Sequence, residues 1–195
     1  MSFLRNSILM AVLVAVIQVG FLGWSIMGRA AILREGREVL LKVEPVDPRD
    51  LLRGDYVRLG YEAGAVDRTL FSNPPSDTYQ AVNQTVYVRL AKGPDRYWQP
   101  ISASVGEPAD APADGQVDLR GTLTGYETTG QANARSLQIN YGIERYYVPE
   151  GEGRAIEMNM AVRPFGILAA VDAAGTPQIK ALMDGDEKLY EEPLY

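Results

Sequence analysis

Thr85-Val86-Tyr87-Val88-Arg89-Leu90 alternates apolar and polar side chains. In a strand, Val86, Val88 and Leu90 share one face and Thr85, Tyr87 and Arg89 the other, as expected of a half-buried strand. A second run has the same period, with Val39, Leu41 and Val43 facing one way and Glu38, Lys42 and Glu44 the other. Outward from these two, further strand-like runs fall at Val57-Leu59-Tyr61, Tyr97 to Val105, Val117 to Thr124, Leu137 to Tyr141 and Arg145 to Val148. Ile167 to Val171 and Gln178 to Met183 flank Ala174-Gly175-Thr176-Pro177, which reads as a hairpin turn. The expected fold is mostly β, a sandwich or an open barrel, with a β-rich α+β arrangement as the variant.

Two stretches interrupt the rhythm. Ser72 to Ser76 and Gly106 to Gly115 are rich in Pro, Gly, Ser, Ala and Asp, as surface loops are. Glu150 to Met160 allows a short helix with Ile156 and Met160 on one face, although Gly151 and Gly153 weaken its start. No internal repeat is evident.

Between Arg5 and Arg29 the chain carries no charge, running through Ile8 to Ile17 and on to Phe21-Leu22-Gly23-Trp24-Ser25-Ile26-Met27. About twenty such residues in a helix cross a hydrocarbon core of about 30 Å, and an open strand there would leave backbone groups unpaired. Residues 8–27 are therefore read as a bilayer-spanning helix, within an anchor of 1–28 ahead of one soluble domain of 29–195. Trp24 falls near the end of the run, where an indole favours the headgroup boundary. A cleaved secretory signal has a shorter apolar core and small residues at the cut, which Gly28-Arg29-Ala30 does not offer. Gln18, at mid-depth, can hydrogen-bond a partner helix.

Charge gives two views of orientation. Arg29, Arg34, Arg37 and Lys42 outnumber Arg5 and would keep the domain inside. A short basic N-terminal tail ahead of the apolar run is, however, the form of a signal anchor, and on that ground the domain is expected outside the cytoplasm.

With 195 residues, 46% of them hydrophobic, the chain can bury one core of ordinary size. Its net charge of −6 argues against nucleic acid, which needs a basic patch. The chain has no cysteine and no histidine, so Ser-His-Asp, Cys-His, thiolate-metal and histidine-zinc chemistries are excluded. No cofactor or metal site is read from the remaining residues.

The densest chemistry lies in Val43-Glu44-Pro45-Val46-Asp47-Pro48-Arg49-Asp50-Leu51-Leu52-Arg53-Gly54-Asp55-Tyr56. Asp47 suits a helix cap, Pro48 the first helical position and Gly54 a left-handed close, which predicts strand, one tight helical turn, strand. Asp47, Arg49, Asp50, Arg53 and Asp55 then crowd one corner, with Tyr56 and Tyr61 on the strand that leaves it.

Gly54-Asp55-Tyr56-Val57-Arg58-Leu59-Gly60-Tyr61 matches every fixed position of the signature of the GDYxxLxY family of membrane-anchored bacterial proteins, which this chain resembles. Pro45 to Asp50 and Gly142-Ile143-Glu144-Arg145-Tyr146-Tyr147-Val148-Pro149-Glu150-Gly151 are similar to that family too. The family has no known reaction; its members have one N-terminal anchor and are often encoded beside a polytopic membrane protein. The resemblance implies a membrane setting and a membrane partner.

Two readings of the charged corner stay open. Arg49 and Arg53 can pair with Asp50, Asp55 or Glu44 as ordinary surface ion pairs. Alternatively they present planar forks to a carboxylate or phosphate, with Tyr56 and Tyr61 as walls. Glu144, Arg145 and Glu150 form the second candidate contact. Two functions of different class follow: an interaction module for a polytopic membrane protein, or a hydrolase of cell-envelope glycan or peptide using carboxylates such as Glu144, Glu150 and Glu157.

Overall fold

A computed structural model describes residues 2–45, 56–75, 82–128, 135–148, 156, 159–160 and 163–192. Among the described residues, the helix α1 (Ser2–Glu35) precedes eleven strands. These are β1 (Arg37–Pro45), β2 (Tyr56–Tyr61), β3 (Ala65–Asp67), β4 (Thr85–Lys92), β5 (Trp98–Val105), β6 (Gln116–Thr128), β7 (Arg135–Asn140), β8 (Arg145–Tyr147), β9 (Phe165–Val171), β10 (Pro177–Asp184) and β11 (Glu187–Glu191). One sheet has the order β11-β10-β9-β1-β2-β8 and the other β3-β7-β6-β4-β5, with neighbouring strands antiparallel throughout. The mostly-β reading of the sequence holds.

The period-two runs supply the core. Val86, Val88 and Leu90 of β4 and Leu119 and Leu123 of β6 have no exposed surface, and they meet Val39, Leu41 and Ile167 of the other sheet in one cluster. Antiparallel sheets with one wet face alternate in this way, and removing the apolar faces from water drives the two together. On the outer face of β4, the guanidinium of Arg89 grips Asp118 at 2.7 and 2.9 Å and reaches Asp110 in the 106–115 loop. The loop is thereby tied over the sheet. Ile156 and Met160 are helical and buried in the core, as the face they share in the sequence requires.

β9 departs from the alternation because it is covered on both sides. Ile167, Ala169 and Val171 face the core, whereas Gly166 and Ala170 face outward and are also buried. These are small residues because something lies close above them: a Cβ on Gly166 would meet the Tyr97 ring at 3.0 Å. The last turns of α1 also pack against β9 and β10, with Ala30 and Leu33 buried.

The helix therefore does not stop at Gly28 but continues to Glu35 and enters β1 through a single residue. Gly36 donates its N–H to the Ile32 carbonyl at 2.8 Å, and a Cβ there would collide with that same oxygen and crowd the Val171 amide. No other residue fits so tight a helix-to-strand junction. From Leu9 to Met27, by contrast, the large apolar side chains are exposed, with Trp24 at 81%.

If Ala30 and Leu33 hold the helix end to β9 and β10, Leu33→Ala lowers the unfolding free energy by about 2 kcal/mol. Ile17→Ala, in the exposed stretch, leaves the domain's urea midpoint unchanged.

Candidate functional site

The chain crosses between the sheets twice at one place. After β2 it turns through a short 3-10 segment, Glu62–Gly64, into β3 of the second sheet. After β7 it returns through residues 141–144 into β8 of the first. Because β2 pairs with β8 and β3 with β7, the two crossings run side by side as one antiparallel ribbon bent through a corner.

Two tyrosines hold the bend. Tyr61 Oη donates to the Ile143 carbonyl at 2.5 Å, and Tyr141 Oη donates to the Ala63 carbonyl at 2.5 Å. Each crossing thus sends one phenol to the backbone of the other. The Leu59 N–H adds a bond to the Glu144 carbonyl at 2.9 Å. Both phenols are raised in pKa, first by burial and then by the Glu144 carboxylate, so each stays protonated and able to donate.

Glu144 serves the return turn. Its Oε1 accepts from the Tyr141 N–H at 2.5 Å, and Gly142 takes a left-handed φ of +82° with its N–H on Asn140 Oδ1. Burial raises the Glu144 pKa, against several backbone N–H groups that lower it. The carboxylate proposed from the sequence as a hydrolytic acid or base is thus occupied in holding backbone.

The remaining candidates divide sharply. Asp47, Arg49, Asp50, Arg53, Asp55 and Glu150 lie outside the described residues, as does Glu157. Tyr56 begins β2, opposite Tyr147 of β8. Tyr61 is buried, with its hydroxyl on the Ile143 carbonyl at the bend between the sheets. Arg145, exposed on β8, pairs in register with Arg58. The structure therefore brings Tyr56–Arg58 of the signature and Arg145–Tyr147 of the later block together as neighbouring strands, with β8 at the edge of the six-stranded sheet among the described residues.

The signature's later positions now have structural roles: Leu59 is buried in the core and Tyr61 locks the corner. A family model for GDYXXLXY protein matches residues 18–182. The chain belongs to the GDYXXLXY family. In this family member the matched segment begins within α1 and ends in β10, so it takes in the corner and the helix junction together. No curated protein and no solved structure matches the chain.

Clefts flank the docked end of α1. One, of about 690 Å³, lies between the helix, the start of β1 and the beginning of β6, with Glu35, Arg37, Asp118 and Asp172 on its walls. Another, of about 360 Å³, lies on the opposite side of the helix, where Arg29 and Leu33 face Arg145, Tyr147, Gln178 and Glu192. Sequence reasoning missed this second cleft because its walls come from α1, β8, β10 and the residue after β11. Only the placing of Arg29 at the end of the apolar run pointed towards it.

The raised pKa of Glu144 has a definite sign. The folded state holds this proton more tightly than the unfolded chain does, so the residue's contribution to stability is full at low pH. It is lost as pH rises from the ordinary glutamate range through the folded value. Glu144→Gln keeps an acceptor for the Tyr141 N–H and removes the titration. Urea unfolding at about pH 4 and about pH 7 is expected to show the wild type losing stability relative to Glu144→Gln as pH rises.

Proposed function

We propose that α1 is an uncleaved single-pass membrane anchor and that the β domain is an interaction module for a polytopic membrane protein. The observation that carries this reading is the division of one continuous helix. Its stretch from Leu9 to Met27 is apolar and exposed, whereas Ala30 and Leu33 are built into the domain and Gly36 leads directly into β1. A run of that length satisfies its own backbone hydrogen bonds in lipid and has no other cover among the described residues. Cleavage near Gly28-Arg29-Ala30 would remove a side chain that the fold buries, which favours an anchor over a signal sequence.

Two features support a protein partner. Gln18 is exposed within the apolar stretch, where an amide gains most from a neighbouring helix. Within the Gly142–Gly151 block, Arg145–Tyr147 forms an edge strand, and it pairs with Tyr56–Arg58 of the signature. On this reading Arg49 and Arg53 engage a carboxylate or phosphate of the partner. The domain lies outside the cytoplasm, the short tail with Arg5 being the form of a signal anchor.

The test is recovery of the full-length protein from its native membrane in mild detergent, beside Arg49→Ala/Arg53→Ala and Gln18→Leu. A polytopic protein recovered in equal amount with the wild type, and reduced about tenfold by the arginine pair, is the expected result. Recovery of the chain alone in every case would overturn the module reading. An alkaline phosphatase fusion at the C-terminus, active only outside the cytoplasm, reports the side.

A further inference from the structure

The 106–115 loop leaves a space beneath it where it crosses the outer face of the second sheet. Arg89 ties it down at Asp110, with Nη2 donating to the backbone carbonyl at 2.6 Å and Nη1 to the carboxylate at 3.1 Å. Beside that tie β5 carries the small residues Ser102, Ala103 and Ser104, and the loop passes them through Pro108 and Ala109. The result is a cavity of about 280 Å³, lined also by Ser72 and by Tyr87 of β4. Its far wall is fixed as well. The Ser72 N–H donates to the Ala103 carbonyl at 2.9 Å, and the Asn73 amide both donates to and accepts from the Val105 backbone.

The charges in this cavity are spent on one another. Arg89 holds both oxygens of Asp118, through Nε at 2.7 Å and Nη2 at 2.9 Å, in addition to its bonds with Asp110. A guanidinium gripped by two carboxylates has little to offer an anion. The carboxylate in excess, Asp110, has a side chain 78% exposed, so water screens its pull on a cation. The hydroxyls, by contrast, are unspent. Neither Tyr87 Oη nor Ser102 Oγ has a hydrogen-bond partner among the described residues. Ser72 and Ser104 donate to the carbonyls of Ala103 and Gly106, which leaves both oxygens able to accept. An apolar ligand would strip these hydroxyls of water and return nothing.

We propose that the cavity under the 106–115 loop binds one neutral sugar ring, as a free monosaccharide or as the end residue of a glycan chain. A sugar carries hydroxyl donors and acceptors on adjacent carbons and no charge, which answers a site of unspent hydroxyls and compensated charges. Its C–H face can lie on an aromatic side chain, and Tyr87 supplies one with a hydroxyl at its tip. The volume falls just under the range of about 300–1,000 Å³ that holds a drug-sized ligand, which suits a single ring. The Arg89 tie and the Asn73 bonds fix the walls beforehand, so binding has little of the protein to order. The site is separate from the anchor, since no α1 residue lines it.

The experiment is saturation-transfer NMR on the full-length protein in a detergent that has no sugar headgroup. The probes are glucose, galactose, mannose and N-acetylglucosamine, a β-1,4-linked N-acetylglucosamine trimer, and acetate and methylammonium as charged controls. Saturation transfer is expected to at least one neutral sugar and to neither control. Ser102→Leu fills the cavity from the outer face of β5 and is expected to abolish the transfer. Tyr87→Phe keeps the ring and removes one hydroxyl, and is expected to weaken the sugar's affinity about three- to tenfold. Ile101→Ala, on the same strand but outside the cavity, is expected to change nothing. Transfer confined to one end of the trimer assigns the sugar to a chain, whereas a bound monosaccharide with the trimer excluded assigns it to the free form. Transfer to none of the sugars, equal transfer to a charged control, or transfer indifferent to both Ser102→Leu and Tyr87→Phe would overturn the proposal. If Ser102→Leu does not fold, the affinity of Tyr87→Phe against that of Ile101→Ala decides.

Discussion

The Tyr61 hydroxyl bonds the Ile143 carbonyl and the Tyr141 hydroxyl bonds the Ala63 carbonyl, each at 2.5 Å and each out of water. At a bend between two sheets the backbone leaves its ladder partners, and an unpaired buried carbonyl costs about 1–3 kcal/mol. The two phenols satisfy those carbonyls from the opposite crossing, so neither crossing can move without exposing a polar group of the other. The order of strands follows from this constraint. β2 and β8 must be neighbours on one side of the bend and β3 and β7 on the other.

Much of this was legible in the sequence, and the rest was not for identifiable reasons. The runs at Val39–Val43 and Val86–Leu90 announced strands because a half-buried strand writes its environment into alternate residues. β3 is three residues long and gains its identity from pairing with β7, so no local pattern marks it. β9 conceals its period because α1 and Tyr97 cover its second face. From the sequence, Tyr61 read as a wall of the charged corner. A tyrosine's pattern does not say whether its hydroxyl meets water or a carbonyl 82 residues away. Glu144 looked like a candidate acid for the same reason, whereas its oxygen is committed to the Tyr141 amide. The arginine and aspartate corner, from Asp47 to Asp55, lies outside the described residues, and the part proposed for it rests on its chemistry alone.

The bend also sets where the edge of the six-stranded sheet falls. It places the return strand β8 at the sheet edge, where Arg145 and Tyr147 face the helix that emerges from the apolar stretch. Gly36 makes that emergence stiff, since the helix hands over to β1 with no linker residues that could swivel. If α1 spans a membrane, as proposed, a domain joined in this way is held at one height and one orientation above it. That suits a module that must present one edge to a neighbouring membrane protein better than it suits an enzyme searching for soluble substrate. Of the family signature, Leu59 packs in the core and Tyr61 builds the bend.

The most direct test is a double-mutant cycle on Tyr61→Phe and Tyr141→Phe, each followed by urea unfolding and by amide exchange at Leu59, Tyr141 and Gly142. If the two hydroxyls hold one bend, each single change speeds exchange on both crossings, and the two free-energy losses are non-additive by about 0.5–3 kcal/mol. Strictly additive losses, with exchange altered only on the crossing that carries the substitution, would show that the two bonds act separately and would contradict the account.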